Sequence, residues 1–206
     1  MRFFNMFTLA EKIVPYNGAT FHIPTRCTQA DKKQANKLKS IFFKTIRDMI
    51  RKRKEKDNDE IMNVWFESSS LAHPFLETSF VEKVKKDMRE IYIPNTETWV
   101  YEKNNAIIGF ISMLDNEIGG LFVMPNNHSK GIGTQLVNFV KELHNELEVE
   151  VFEKNVIGRA FYDKYGFTKI KQYFHAESNS EILRLNFKPW EASVQHLIKF
   201  MLTFKL

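Results

Sequence analysis

The sequence predicts an α/β protein, of the α+β kind, built on a mixed sheet with helices on both faces. Two observations carry this. From Met49 onward, seven short stretches have strand character and four longer ones repeat apolar residues at helical spacing. Their order is β-α-α-β-β-β-α-β-α-β-β, so a run of antiparallel neighbours is followed by a β-α-β unit, which brings parallel pairing into the same sheet. Composition agrees. The chain has 206 residues, 43% hydrophobic and 27% charged, with 8 Gly and 6 Pro. That fits one globular domain with an appendage and excludes a disordered, collagen-like or disulfide-scaffold chain.

The elements follow in order. Residues 1–28 are irregular, punctuated by Pro15, Gly18 and Pro24. Thr28-Gln29-Ala30-Asp31 resembles a helix start, and Ala35, Leu38, Ile41, Phe42, Ile46 and Met49 then recur at helical spacing. Its basic face, Lys32, Lys33, Lys39 and Lys44, reads as a solvated face, with RNA or anionic lipid as the alternative. Met49-Ile50-Arg51-Lys52-Arg53 either continues that helix or begins a strand. Residues 58–69 place Ile61, Met62, Val64, Trp65 and Phe66 on a helical stripe, and 78–91 form a second helix with Thr78 as its cap. Strands follow at 97–102, 106–113 and 118–124, with Asn104-Asn105 as the hairpin turn between the first two. Residues 131–145 form a strong amphipathic helix through Ile132, Leu136, Phe139, Val140 and Leu143, the stripe running on to Leu147. A strand at 147–152 leads to a helix at 156–165, capped by Asn155 and closed by Gly166 in a left-handed conformation. Strands at 168–175 and 181–187 complete the order. From Pro189, residues Trp190, Val194, Leu197, Ile198 and Met201 outline an amphipathic helix that packs on the domain or on a partner subunit.

Charge is unevenly spread. The net charge is +5, but residues 1–48 hold 9 Lys and Arg against 3 Asp and Glu, so the remainder is −1. The main body gives no electrostatic case for a nucleic-acid groove, so nucleic acid is not an expected partner. One cysteine, Cys27, excludes an internal disulfide and fits a reducing, cytoplasmic compartment. No apolar run reaches the roughly 20 residues of a membrane span, and the first residues are broken too early for a signal peptide. The six His and one Cys show no metal spacing, so no metal site is expected. Oligomeric state stays open, a homodimer being one alternative, and Met49 is a second candidate start.

The sharpest motif runs from Phe122 to Thr134. An apolar strand ends at Pro125, a polar loop Asn126-Asn127-His128-Ser129-Lys130 follows, and Gly131-Ile132-Gly133 opens a helix. A helix start presents unpaired N–H groups and the positive end of its dipole, which suits phosphate, and glycine lets a pyrophosphate approach. There is no Gly-Lys-Ser/Thr for a Walker loop, and no third glycine for the dinucleotide fingerprint. The second motif, Asn155-Val156-Ile157-Gly158-Arg159-Ala160-Phe161-Tyr162-Asp163-Lys164-Tyr165-Gly166-Phe167, follows the strand Glu148-Val149-Glu150-Val151-Phe152. On its own, the Phe161/Tyr162/Tyr165 set reads as a packed aromatic face. Glu150 sits mid-strand between Val149 and Val151, where a carboxylate is costly unless paired, hydrogen-bonded or useful.

These two blocks, in this order and separation, resemble the GNAT superfamily of acetyl-CoA-dependent N-acetyltransferases. The likeness runs from Met49 to about Phe187, leaving residues 1–48 as an N-terminal extension and 188–206 as a C-terminal helix beyond the GNAT domain at 49–187. Val64-Trp65-Phe66-Glu67-Ser68-Ser69-Ser70-Leu71-Ala72-His73-Pro74-Phe75 resembles the small bacterial branch that includes lysine and protein acetyltransferases.

The resemblance implies a set of roles and makes Met49 to Arg53 the first strand. The family's pyrophosphate loop corresponds to His128-Ser129-Lys130-Gly131-Ile132-Gly133, with Thr134 supplying the next amide; His128 departs from the family's Arg or Gln. Leu121, Phe122 and Val123 match the strand whose edge pairs with pantetheine and polarises the thioester carbonyl. Asn155 matches a pantetheine contact, and Tyr162 the general acid for the leaving thiolate, a role worth on the order of 10²–10⁴ in rate. Glu150 is the candidate base, with a structural ion pair or a water chain as alternatives. His73 lies where the fold lines its acceptor groove; it reads as a surface or satisfied histidine, with substrate contact or proton relay as the functional alternatives. Direct transfer needs neither a Gly-x-Ser-x-Gly elbow nor a cysteine nucleophile, and neither motif points to one here. The implied partners are acetyl-CoA, as co-substrate, and an amine acceptor: a protein lysine or N-terminus, or alternatively a polyamine or aminoglycoside. A non-catalytic acyl-CoA-binding or RNA-associated module is the other alternative.

Overall fold

The computed structural model describes residues 49–144 and 146–188. The helix expected near residues 28–48, with its basic face, and the amphipathic helix expected from Pro189 lie outside the described residues. Strands β1 (Ile50–Lys52), β2 (Glu97–Lys103), β3 (Ala106–Leu114), β4 (Glu117–Val123), β5 (Leu147–Phe152), β6 (Thr168–His175) and β7 (Ser180–Phe187) form one sheet in the order β1-β2-β3-β4-β5-β7-β6. Among the described residues the four longest helices are α1 (Asn58–Ala72), α2 (Thr78–Asp87), α3 (Ile132–Lys141) and α4 (Val156–Tyr165). Among the described strands only β4 and β5 pair in parallel.

The segment left open between helix and strand is a strand: Ile50, Arg51 and Lys52 pair with Tyr101, Val100 and Trp99. The Asn104-Asn105 turn takes positive φ at both residues, 53° and 61°, as a tight hairpin of the right twist requires. Two expectations need correction. Thr78 is the first residue of α2 and not its cap; Glu77 holds that place in extended conformation, without a side-chain capping bond. The helix expected over 131–145 spans Ile132–Lys141. Its end tightens through bonds from Glu142 N–H to Phe139 O (3.3 Å) and Leu143 N–H to Val140 O (2.9 Å). Leu143 therefore turns outward, and Leu147 belongs to β5.

Both sheet faces are covered. Alternation along β5 sends Leu147, Val149 and Val151 to one face, where they meet Ile132, Leu136, Val137 and Val140 of α3 and Tyr162 of α4. On the other face, Ile61, Met62, Val64 and Trp65 of α1 pack on Val100, Ile107 and Phe110. The sheet opens in its middle. Ser112 pairs with Gly120 but Met113 with Ile118, so Gly119 is the extra residue of a bulge in β4. A bulge bends its strand and sharpens the twist. Pairing of β4 with β5 is confined to Glu117/Glu148 and Ile118/Val149; beyond Ile118 the two strands part.

Candidate active site

The opening between β4 and β5 exposes a strand edge. Met124 N–H donates to Ile108 O, and Phe122 lies opposite Phe110. By antiparallel alternation the main-chain groups of Phe122 face β3, while those of Leu121 and Val123 face the opening. The Val123 carbonyl accepts from Ser68 Oγ (2.8 Å) and His128 Nε2 (2.7 Å). The N–H groups of Leu121 and Val123 and the Leu121 carbonyl therefore line the gap. Phe122 contributes its ring, 5.3 Å from that of Phe110. His128, at the position of the family's Arg or Gln, folds back and ties the loop to the end of β4.

The glycine loop leads from β4 to α3. Lys130 Nζ donates to Asn126 O (2.6 Å) and Asn127 Oδ1 (3.2 Å), bracing the loop from within. Ser129 has φ 60° and Gly131 φ 78°, the left-handed region that favours glycine. The first bond onto Gly131 O comes from Gln135 N–H (3.0 Å), so the amides of Ile132, Gly133 and Thr134 precede the helical ladder and point from its positive end. At Gly133 an added Cβ would lie 3.1 Å from the Phe161 ring, so this glycine lets α3 and α4 meet closely. Leu121, Val123, Ile132, Phe161 and Tyr162 share one cluster, which brings the strand edge, the glycine-opened helix and α4 together.

Tyr162 is buried among Phe161 and Phe167, with ring centroids at 5.2 and 5.1 Å. Burial pushes its ionisation well above the ordinary phenol range, so the hydroxyl stays protonated. Asn155 caps α4 as expected, its Oδ1 accepting from Gly158 N–H at 2.8 Å. Its Nδ2 donates to Nε2 of His73 at 3.0 Å. His73 ends α1, with Nδ1 3.0 Å from Ser69 Oγ and its ring edge-on to Phe75 and Phe152. Desolvation lowers its pKa from 6.5 to about 4, so the imidazole is neutral near pH 7. His73 thus reaches Asn155, for which the family resemblance implies a pantetheine contact.

Glu150 lies on the same face of β5 as Glu148, and both meet Arg184 of β7. Arg184 Nη1 donates to Glu150 Oε1 (2.9 Å), Nε to Glu148 Oε2 (2.8 Å) and Nη2 to Glu117 Oε2 (2.8 Å). Tyr173 Oη donates to the other Glu150 oxygen at 2.7 Å. The ion pair weighed as the alternative for Glu150 is present, and three carboxylates share one guanidinium. Three further residues were not singled out from sequence. Arg184 and Tyr173 owe their place to strand register, which a single chain does not display. Gly158 carried a signal in its spacing: a capping Asn followed three residues later by glycine.

The family model described as the acetyltransferase (GNAT) domain matches residues 48–179. Peptidyl-lysine N-acetyltransferase YiaC of Escherichia coli is 31% identical over 120 residues, 58% of this chain and 82% of its own. Peptidyl-lysine N-acetyltransferase YjaB of Escherichia coli is 26% identical over 119 residues, 57% of this chain and 80% of its own. Among solved structures, apo YjaB from Escherichia coli superposes with a TM-score of 0.62 at 23% identity, covering 67% of this chain and 95% of its own. The PaiA N-acetyltransferase from Thermoplasma acidophilum, solved in complex with coenzyme A, gives 0.56 at 19%, covering 67% and 98%. At these identities the two structures speak for a shared fold. The matched span includes β1 through β6, the glycine-opened α3 and all of α4, and the chain belongs to the GNAT acetyltransferase family.

Proposed function

We propose that the chain moves the acetyl group of acetyl-CoA directly to a primary amine, with a protein lysine as the acceptor, and that residues 49–187 carry this chemistry. The observation that carries the reading is the parting of β4 and β5 beside the start of α3. In this reading the amides of Ile132, Gly133 and Thr134, flanked by Ser129 and Lys130, hold the pyrophosphate. The pantetheine arm runs along Leu121 and Val123 like a missing strand. One of their N–H groups faces the thioester oxygen, where negative charge develops as the amine attacks the carbonyl carbon. Collapse of that adduct breaks the C–S bond and forms the amide, while the nitrogen's second proton leaves through water and the sulfur departs as the coenzyme A thiolate. Tyr162, kept protonated by burial, donates a hydrogen bond to the departing thiolate.

The acceptor reading is supported by charge and by relatives. Glu117, Glu148 and Glu150 exceed Arg184 and its register partner Lys171 on the sheet face at the closed end of the gap, which favours a cationic amine. The relatives YiaC and YjaB carry the name peptidyl-lysine N-acetyltransferase. Glu150, with both oxygens engaged, serves this electrostatic face, and the ammonium proton leaves through water. The test is incubation with acetyl-CoA and peptides bearing lysine, followed by fragment mass spectrometry. The reading expects acetyl on the lysine side chain. Acetylation of spermidine or an aminoglycoside with every peptide unmodified would move the acceptor to the small-molecule class.

A further inference from the structure

We propose that His73 is the positioning residue of Asn155, and through it sets the affinity for the acyl-CoA arm. The inference rests on the reading above, in which Asn155 contacts that arm. It starts from atoms that fix one another. Asn155 Oδ1 is identified as the oxygen because it accepts from Gly158 N–H at 2.8 Å. Nδ2 therefore faces His73 Nε2 at 3.0 Å. An amide nitrogen can only donate, so Nε2 is the unprotonated nitrogen. The proton then sits on Nδ1 and donates to Ser69 Oγ at 3.0 Å. One ordered chain runs Gly158 N–H, Asn155, His73, Ser69, and joins the start of α4 to the end of α1.

This chain leaves the Asn155 amide a single orientation. A flip would set Oδ1 against the His73 lone pair and remove the acceptor from Gly158 N–H, two losses at once. Asn155 and Ser69 are buried, and the His73 ring is wedged between the edges of Phe75 and Phe152. One Nδ2 hydrogen is spent on His73, so the second points in one fixed direction. Gly158 is part of the same device. A Cβ there would lie 2.7 Å from Asn155 Nδ2 and 3.1 Å from Val151 Cγ2, so only glycine lets the amide lie against the first turn of α4. From the sequence His73 reads as a surface or satisfied histidine, with recognition of the acceptor as a functional alternative; its ring nitrogens are both engaged away from that task.

The test uses the full chain and calorimetric CoA binding beside steady-state kinetics with acetyl-CoA and one fixed acceptor. His73→Leu is expected to weaken CoA binding and raise the KM for acetyl-CoA about five- to tenfold, the worth of one hydrogen bond, with kcat and acceptor KM unchanged. His73→Gln, which restores an acceptor for Nδ2–H, is expected to recover most of that loss. His73→Leu on top of Asn155→Ala is expected to add nothing. Gly158→Ala is the second variant: it favours the helix but displaces the amide, so it is expected to lose CoA affinity without losing fold. If His73→Leu fails to fold, His73→Phe carries the test: it keeps a ring between Phe75 and Phe152 and removes both nitrogens, and the same loss of CoA affinity is expected. If Asn155→Ala weakens CoA binding while His73→Leu and Gly158→Ala do not, the inference is overturned and the reading of Asn155 stands. If Asn155→Ala leaves CoA binding unchanged, that reading falls and this inference with it. A rise confined to the acceptor KM in His73→Leu would return His73 to substrate recognition.

Discussion

His73 makes the stability of the domain depend on acidity in a defined window. Its pKa falls from an ordinary 6.5 to about 4, and the single cause is desolvation. Below pH 6.5 the unfolded chain binds a proton that the folded chain refuses, so stability falls as pH falls from about 6.5 to about 4 and then levels. One pKa unit corresponds to about 1.36 kcal/mol, so the full loss is about 3 kcal/mol. That is a large part of the 5–15 kcal/mol typical of a domain. His73→Gln removes the titration and keeps a neutral, polar side chain. Urea unfolding of both proteins, followed by tryptophan fluorescence between pH 7.5 and 4, isolates the effect. Every other titrating group is common to the pair and cancels in the difference, including Asp57, held low by the Arg51 guanidinium. The difference in unfolding free energy is expected to be constant above pH 7 and to shift by about 3 kcal/mol in favour of the variant by pH 4. A difference independent of pH would refute the claim that the folded domain holds half-buried His73 in its neutral form.

Further outcomes follow from the same geometry. Gly131→Glu places a side chain at φ 78°, strained by about 1–2 kcal/mol, and a carboxylate beside the amides of α3. It is expected to melt lower and lose CoA binding in calorimetry, and CoA affinity equal to the parent's would misplace the pyrophosphate. Tyr162→Phe is expected to keep CoA affinity and lower turnover on the order of 10²-fold; unchanged turnover would reduce Tyr162 to a packing residue. A protein beginning at Met49 is expected to fold and turn over, with weaker retention on heparin, because residues 1–48 carry +6 and the rest −1. A folded but inactive truncation would place a needed group in the first 48 residues.

What the sequence displayed was local chemistry. Gly131, the Asn155 cap, the Gly166 close and the Asn104-Asn105 turn are legible because each follows from one residue's backbone freedom or one side chain's reach of three residues. The alternation in β5 was legible for the same reason, since period two needs no partner. The carboxylate cluster around Arg184 was not. Glu150 announced only that it needed a reason; that reason is Arg184, 34 residues away and brought opposite by β5–β7 register. His73 was read by its position after α1, yet its partner Asn155 lies 82 residues on. The end of α3 was overrun because apolar spacing continued through Leu143 and Leu147 while the chain had already turned toward β5.

If the gap between β4 and β5 receives acyl-CoA, backbone amide NMR during a CoA titration will register it residue by residue. The largest shifts are expected at the amides of Leu121, Val123, Ile132, Gly133, Thr134 and Asn155. Shifts gathered instead on the basic surface around Arg51, Lys54 and Lys56, with those amides unmoved, would contradict that binding site.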